Sequence, residues 1–344
     1  MQIIYYRDPA GNFGDDLNGV LWRKLLPASV FDVEDVLLMG VGSIFNAYCA
    51  PASRTQGKRV FVLGSGAGYG PLPPDWHGWD LLAVRGPLTA RLLGRPELAV
   101  TDSAALLSLV PNFIKPSPQR NQTLLIPHYH SAARGQWKSV AEQAGMTFLD
   151  PRWPVEVVME HFSRASLVVT EAMHGAIVAD TMRIPWIPIT IAPDALPFKW
   201  WDWALSLDMA YKPMRMPPSS LWENLYHRIL VREAKAQGLV PSALASDTQS
   251  AVSLVSDFHS RYKMASNPHQ SREERPPAKK VRKLVRSACS MLDGFFIENA
   301  AKHLRKAVVE QSYLSSDNKL LCKVDQLRTL MARFVQSVNP ALAY

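Results

Sequence analysis

The sequence has few cysteines and no apolar run long enough to cross a membrane. Its three cysteines, Cys49, Cys289 and Cys322, follow neither a disulfide framework nor a metal-ligand spacing. An uninterrupted apolar run of about 18 residues is missing, and the amino-terminal residues lack the basic and apolar regions of a secretory signal. We therefore expect a cytoplasmic protein without disulfides, a resident metal or a spanning helix.

Excess charge is missing from most of the chain. The first 258 residues hold 22 Lys and Arg against 23 Asp and Glu, whereas residues 259–344 hold 16 against 7. Because no recognised nucleic-acid-binding module accompanies this basic end, nucleic acid is not an expected partner. The chain has 344 residues, of which 47% are hydrophobic, and this is sufficient for two domains with separate cores.

Complete nucleotide-binding motifs are missing, although several apolar runs end in glycine. Asn12 and Gly14 follow the first run, and Gly64 and Ser65 follow the run at 60–63, but neither a Gly-Lys-Ser/Thr loop nor a full dinucleotide fingerprint is present. We interpret these four residues as candidate substrate-binding positions at strand ends. Asp15 or Asp16 can cap the helix-like stretch that follows, and Asp15 is also a candidate acceptor of a proton.

Residues 166–188 carry the densest chemistry in the chain. An apolar strand-like run is followed by Glu171, His174 and Gly175, and apolar residues then recur at helical spacing. Such a strand-to-helix junction favours an anion, because backbone N–H groups and the helix dipole converge there. The alternative is that His174 simply hydrogen-bonds a carbonyl at the start of a helix.

Three further positions supply candidate ligand contacts. Arg85 follows the predicted strand 80–84 and is either an anion clamp or a structural arginine. His128 and His130 follow the run at 123–126, and with no third ligand nearby we expect substrate contact rather than a metal site. Lys199 stands among Trp200, Trp201 and Trp203, which suits sugar recognition or, equally, a packed core.

The order of predicted elements indicates an α/β fold. Strands and helices alternate regularly, which favours mostly parallel sheets with helices on both faces. The polar, Pro-containing stretch 112–121 predicts a linker between two domains of this kind. We therefore divide the chain into domains at residues 1–116 and 117–258, followed by a basic helical tail at 259–344.

The tail contains a basic amphipathic segment at 272–296. Apolar residues recur there at three- and four-residue spacing, and Lys and Arg crowd the other face. Such a helix either lies on an anionic membrane surface or packs its apolar stripe on the folded body.

Four motifs in this order carry a family resemblance: GNFGDDLN at 11–18, RGPLT at 85–89, TDSAAL at 101–106 and TEAMHGAIVAD at 170–180. Over about residues 1–207 the chain resembles the polysaccharide pyruvyl transferases, in particular the succinoglycan type. The resemblance implies two Rossmann-like domains facing across a cleft, as in the GT-B fold. It also implies transfer of pyruvate from phosphoenolpyruvate to two hydroxyls of a sugar, giving a ketal and phosphate, with no cofactor.

The sequence departs from the family at one informative position. The family usually has an RLHG segment, whereas this chain reads Ala172, Met173, His174 and Gly175. The histidine is carried over to His174, but the arginine is replaced by Ala172. Another cation must therefore neutralise the donor, and the candidates are Arg85, Lys199 and Arg134.

The charges of the donor suggest a mechanism. Phosphoenolpyruvate needs cations for binding and a proton on its vinyl carbon, and we assign the proton donor to His174. Glu171 and Asp15 are then the candidate acceptors of a sugar hydroxyl proton. Two other functions remain open, a GT-B-like sugar-nucleotide glycosyltransferase and a non-catalytic glycan-binding protein. The expected acceptor is a polysaccharide or a lipid-linked oligosaccharide.

Overall fold

A computed structural model describes residues 1–111, 119–193, 195–236, 251–263 and 292–340. Its first sheet contains four strands, all parallel and arranged in their order in the chain. The apolar runs form these strands because both sheet faces are covered, and all four residues of the second strand are buried. The strands are β1 (Gln2–Ile4), β2 (Val36–Met39), β3 (Arg59–Ser65) and β4 (Asp80–Val84).

Short helices connect these strands. The helix after β1 buries an apolar face that includes Leu17, Leu21 and Trp22, and Pro87 begins the helix after β4, as its fixed backbone angle favours. The α-helices are α1 (Phe13–Leu25), α2 (Ala28–Phe31), α3 (Ala52–Thr55) and α4 (Pro87–Leu92). Single turns of 3₁₀ helix occupy Trp76–Gly78 and Pro96–Leu98, and a longer one occupies Ser103–Leu109.

The second sheet has five parallel strands in the order β6-β5-β7-β8-β9. After β5 the chain adds β6 on one side and then returns to place β7 on the other. In parallel sheets such a reversal leaves a crevice at the carboxyl ends of the two strands, where ligands bind. The strands are β5 (Gln122–Ile126), β6 (Thr147–Phe148), β7 (Ala165–Thr170), β8 (Trp186–Thr190) and β9 (Met214–Arg215).

Helices also follow the strands of this sheet. Gly145 ends one of them in a left-handed conformation, with φ of 74°, which glycine adopts without strain. The helices are α5 (Tyr129–Arg134), α6 (Trp137–Ala144), α7 (Val155–Arg164), α8 (Met173–Thr181), α9 (Pro197–Ser206) and α10 (Leu221–Ala236).

Three further helices, α11 (Ala251–Lys263), α12 (Asp293–Val308) and α13 (Asp317–Val338), complete the described chain. Helix α12 buries an alanine-rich face in the same core as α6. Helix α13 belongs to the core of the first sheet, where Phe334 packs edge-on against Phe61 with ring centroids 5.0 Å apart. The described parts of the expected tail are thus integrated into the body. Most of the segment 272–296 lies outside the described residues.

The predicted α/β class and the parallel sheets are confirmed. Ala99 makes a single bridge to Val84 and does not extend the first sheet by a further strand. The chain then turns into 3₁₀ helix, since the Asp102 side chain accepts a hydrogen bond from the amide of Ala104. Most of the linker at 112–121 lies outside the described residues. Within the described ranges, no helix is long and apolar enough to span a bilayer.

Candidate functional site

Two glycines pack closely against the His174 ring. His174 lies in the first turn of α8, directly after β7. A Cβ atom on Gly14 would overlap the ring, and one on Gly42 would lie 3.5 Å from Cε1. Gly42 also has φ of 104°, a conformation that other residues rarely adopt. Gly14 lies in the first turn of α1, which follows β1, and Gly42 lies in the loop after β2, so the site combines segments that follow strands of both sheets.

Asp102 lies close to the Nε2 atom of the His174 ring. Its Oδ2 is 3.9 Å from His174 Nε2 and accepts a hydrogen bond from the Gly42 amide at 3.3 Å. The carboxylate is fully buried. Burial raises the pKa of Asp102 to about 6, although the Arg85 charge and the amides of Ala104 and Gly42 act in the opposite direction. The group therefore titrates close to neutral pH.

Asp15 is the second carboxylate at this point. Asn12 Nδ2 donates to Asp15 Oδ2 at 2.6 Å, and a Cβ on Gly42 would lie 3.0 Å from Asp15 Oδ1. Burial raises the pKa of Asp15 to about 7, and the charge of Lys199 is the largest opposing influence. A carboxyl with this pKa is partly protonated at neutral pH, so it can donate or accept a proton there.

The proton-donor role expected for His174 remains a prediction, and the surroundings of the ring disfavour its protonated form. Burial, followed by the charges of Lys199 and Arg85, lowers the pKa of His174 to about 3. Its Nε2 is buried and has no hydrogen-bond partner among the described residues. Because buried polar atoms are normally paired, this unpaired nitrogen beside the Asp102 carboxylate indicates the position of a reacting group.

Lys199 supplies positive charge to the site. The residue lies in α9 and is 7% exposed, and its Nζ donates to the Tyr69 hydroxyl. Its charge affects the pKa values of Asp15, His128 and His174. The tryptophans beside it have a different role, since Trp200 and Trp203 pack into the core against Trp186. The aromatic partner of Lys199 is Tyr69, whose ring centroid is 4.9 Å from Nζ.

Arg85 is fully buried near the site. Its guanidinium donates from Nε to Asp202 Oδ2 at 3.0 Å, from Nη1 to Ser43 Oγ at 2.5 Å and from Nη2 to the carbonyl of Ala67 at 3.0 Å. Since all three nitrogens are engaged inside the protein, the geometry favours the structural alternative for Arg85. Its charge still acts on the site through the pKa of Asp102.

Glu171 holds two loops together. Its Oε2 accepts from the amide of His128 at 2.9 Å, and its Oε1 accepts from the amides of Ile191 and Ala192 at 2.9 and 2.8 Å. Burial raises the pKa of Glu171, while these amides oppose that shift. With its oxygens engaged by backbone amides, Glu171 is better suited to fixing the loops than to accepting a substrate proton.

The histidines after β5 lie near the same crevice. His128 caps α5, its Nδ1 accepting from the amide of His130 at 3.4 Å, and its ring centroid is 5.2 Å from that of His130. Burial, and then the charge of Lys199, lowers the pKa of His128 well below its usual value. Arg134 places its guanidinium 4.3 Å from the ring centroid of Tyr226. Within the described ranges, no group of three or more metal-ligating side chains is suitably placed.

The remaining candidate residues make close contacts in the backbone segments around the site. A Cβ on Gly64 would overlap Ser103 Oγ, and Ser65 Oγ donates to the carbonyl of Gly42 at 3.1 Å. A Cβ on Gly175 would lie 2.6 Å from Thr170 Oγ1, so the start of α8 packs closely on the end of β7. These residues shape the backbone around His174.

Sequence reasoning missed three members of the site. Gly42 and Asp102 both follow apolar runs, and this pattern could have identified them. Tyr69 had no comparable signal, because it meets Lys199 across 130 residues of sequence.

The fold and this cluster of ionisable groups define an α/β enzyme whose site lies at the carboxyl ends of parallel strands. The sequence profile of the polysaccharide pyruvyl transferase family matches residues 3–193, more than half of the chain, so the chain belongs to this family. The resemblance in the four motifs is thereby confirmed, and the chain is an enzyme of this type.

A curated relative agrees with this assignment. The chain is 38% identical over 225 residues to the succinoglycan biosynthesis protein ExoV of Rhizobium meliloti (strain 1021). The aligned region covers 64% of this chain and 69% of that relative. No solved structure matches the chain.

Proposed function

We propose that the enzyme transfers pyruvate from phosphoenolpyruvate to two hydroxyls of one sugar in a polysaccharide repeat unit, forming a cyclic ketal and releasing phosphate. The observation that supports it most is the unpaired Nε2 of His174, which lies 3.9 Å from Asp102 Oδ2 and within electrostatic range of Lys199. The similarity to a succinoglycan biosynthesis protein supports exopolysaccharide biosynthesis as the setting and a lipid-linked oligosaccharide or polysaccharide as the acceptor.

Lys199 is the proposed replacement for the family arginine missing at Ala172. Phosphoenolpyruvate carries a carboxylate and a phosphate, and its binding therefore needs positive charge. Arg85 is engaged internally, whereas the charge of Lys199 acts on both Asp15 and His174. The amide groups at the start of α8 add a favourable potential for an anion.

The two proton-transfer roles follow from the pKa values. Asp15, with a pKa of about 7, gives a proton to the methylene carbon of the donor. His174, with a pKa of about 3, is neutral and accepts the proton of the attacking sugar hydroxyl at Nε2. The bound donor's negative charges raise both pKa values, and Asp15 remains the more readily protonated because it starts higher. These roles reverse the assignment made from sequence.

Bond formation proceeds by an addition and then a displacement. Protonation of the methylene carbon makes the neighbouring carbon electrophilic, and the first hydroxyl adds to it. The second hydroxyl then replaces the phosphate, which leaves with the C–O bond electrons and takes up the proton of that hydroxyl. The products are the ketal and inorganic phosphate, and no oxidant or reductant is required.

The GT-B-like arrangement remains part of this proposal. Supporting it, segments that connect the strands of the first sheet supply Asp15, Gly42 and Asp102, while His174 follows a strand of the second sheet. We retain 1–116 and 117–258 as the two domains and 259–344 as the carboxyl-terminal region. We also propose a cytoplasmic location, with the segment 272–296 tethering the enzyme to an anionic membrane surface. In its described part, Leu292 and Phe295 are 59% and 74% exposed.

The test is an incubation of the enzyme with phosphoenolpyruvate and a lipid-linked or free oligosaccharide. We expect equimolar phosphate release and a product whose mass exceeds that of the acceptor by pyruvate less water. Product formation from a nucleoside diphosphate sugar, with none from phosphoenolpyruvate, would refute the proposal.

The affinity for phosphoenolpyruvate tests whether Lys199 binds this donor substrate. A hydrogen-bonded charge contact contributes about 1.5–3 kcal/mol, so Lys199→Ala should weaken phosphoenolpyruvate binding by roughly 10- to 100-fold. The exposed Lys302→Ala serves as the control. An unchanged donor affinity in Lys199→Ala would assign the donor to another cation.

A further inference from the structure

A cavity of about 530 Å³ lies beside the ends of β8 and β9. Its walls are the loop 190–193, Arg215 and Met216 on and after β9, and one face of α10. The loop also carries the amides of Ile191 and Ala192 that Glu171 binds. The cavity therefore adjoins the loops that Glu171 fixes, and it has the size of a site for an organic ligand rather than for a single small ion.

One part of this cavity is strongly cationic. Arg228 and Arg232 lie one helical turn apart on α10 and hence on the same face. Arg215 and His227 line the cavity with them, and none of the ten described lining residues is acidic. Arginine offers a planar fork of donors that matches phosphate oxygens, and three forks suit a group with several anionic oxygens.

The rest of the cavity is aliphatic. Ile191, Met216 and Val231 line it, and none of the ten described lining residues is Phe, Tyr or Trp. A cationic edge beside an aliphatic wall fits a phosphate ester with a hydrocarbon substituent better than it fits a bare phosphate. A single-stranded nucleic acid is a poorer match, because its bases are usually held on aromatic rings.

We propose that this cavity binds a diphosphate ester, with the arginines on the diphosphate and the aliphatic wall on the organic substituent. Two sources share this chemistry, an isoprenoid diphosphate and a nucleoside diphosphate, and the aliphatic lining favours the isoprenoid. The site uses none of the residues assigned to the phosphoenolpyruvate donor, so it stands independently of the proposed reaction.

Calorimetric titration of the full chain tests the proposal, with farnesyl diphosphate, adenosine diphosphate and inorganic pyrophosphate as separate probes. The test variant is Arg228→Ala/Arg232→Ala. The control, Arg91→Ala/Lys302→Ala, removes the same charge from exposed positions outside the cavity. We expect farnesyl diphosphate to bind the wild type and the control equally, and the test variant at least 10- to 100-fold more weakly. Phosphoenolpyruvate affinity should be the same in all three proteins.

Each alternative result has a defined meaning. Tighter binding of adenosine diphosphate than of farnesyl diphosphate, with the same loss in the test variant, supports the site and identifies the nucleotide as its source. Equal affinity for pyrophosphate and both esters overturns the role of the aliphatic wall. Binding that survives the double substitution, or no binding of any probe, overturns the site.

Discussion

Two groups of buried ionisable side chains lie close together in this fold, and they differ in how completely their polar atoms are paired. In the pair Arg85–Asp202, each guanidinium nitrogen donates within the protein, and Asp202 also accepts from the amides of Leu88 and Thr89 and from the Thr89 hydroxyl. Around His174, by contrast, Nε2 has no partner among the described residues, and burial raises the pKa values of Asp15 and Asp102.

The difference separates a structural network from a reactive one. A fully hydrogen-bonded ion pair stabilises one arrangement of the backbone and leaves little capacity for a ligand. A cluster with an unpaired nitrogen and carboxyls titrating near neutral pH retains that capacity, at a cost to stability. The buried arginine therefore supports the loops, while the histidine and the two aspartates are available for chemistry.

The largest expected effect is at the reactive cluster. His174→Ala should lower the turnover number by about 10²- to 10⁴-fold, the usual contribution of a positioned acid or base. The thermal unfolding midpoint should change little, because the ring is already without a hydrogen bond at Nε2. Phosphate release and circular dichroism melting measure the two quantities. His259→Ala, at an exposed histidine, is the control, and a variant that keeps most of its rate would remove His174 from the mechanism.

The structural pair should respond in the opposite way. Arg85→Ala leaves the buried carboxylate of Asp202 without its partner, and losing one member of a buried pair costs about 3–5 kcal/mol of unfolding free energy. Urea unfolding provides the measurement. The exposed pair Arg95–Glu97 supplies the matched control, and Arg95→Ala should leave the unfolding midpoint unchanged. Equal stability of Arg85→Ala and wild type would contradict the structural role.

The smallest expected effect is the pH dependence of stability that Asp15 produces. The pKa of Asp15 is about 7 in the folded protein and about 3.9 in an unfolded chain, so the folded state binds more protons between these values. Stability from this group is thus present below pH 4 and is lost as the pH rises through 7. Asp15→Asn does not titrate, and its melting midpoint at pH 8 should exceed that of the wild type by ~1–2 °C, equivalent to about 1 kcal/mol in a chain of this length.

The control for this measurement is Asp35→Asn, which removes the same charge from an exposed position. At pH 4 the gain of Asp15→Asn over the wild type should disappear. A gain of the same size at both pH values would show that the substitution acts through packing rather than through the carboxyl charge.

Much of the fold was predictable because apolar runs of strand length encode buried parallel strands directly. The runs at 60–63 and 80–84 match β3 and β4, and the junction at His174 is a strand-to-helix turn as expected. A short apolar run does not, however, reveal local capping of the kind that Asp102 provides for its 3₁₀ helix.

The pairing of the site residues was not predictable in the same way. A sequence shows where strands end, but it does not show which loops meet. Arg85 therefore looked like an anion clamp until Asp202, 117 residues away, occupied it. Glu171 looked like a base until three backbone amides accounted for its oxygens. The direction of the His174 pKa shift likewise depends on burial and on Lys199, which are properties of the folded chain.

The separation between Arg85 and Asp202 also bears on the order of events at the ribosome. Chains emerge at about 5–20 residues per second, so the 117 residues between them correspond to a delay of roughly 6 to 23 s. During that interval Arg85 lacks its carboxylate partner, because Asp202 has not yet been synthesised. The packing partner of Phe61 is synthesised later still, because Phe334 lies in α13. We expect the first sheet to remain incompletely folded until α13 has been synthesised.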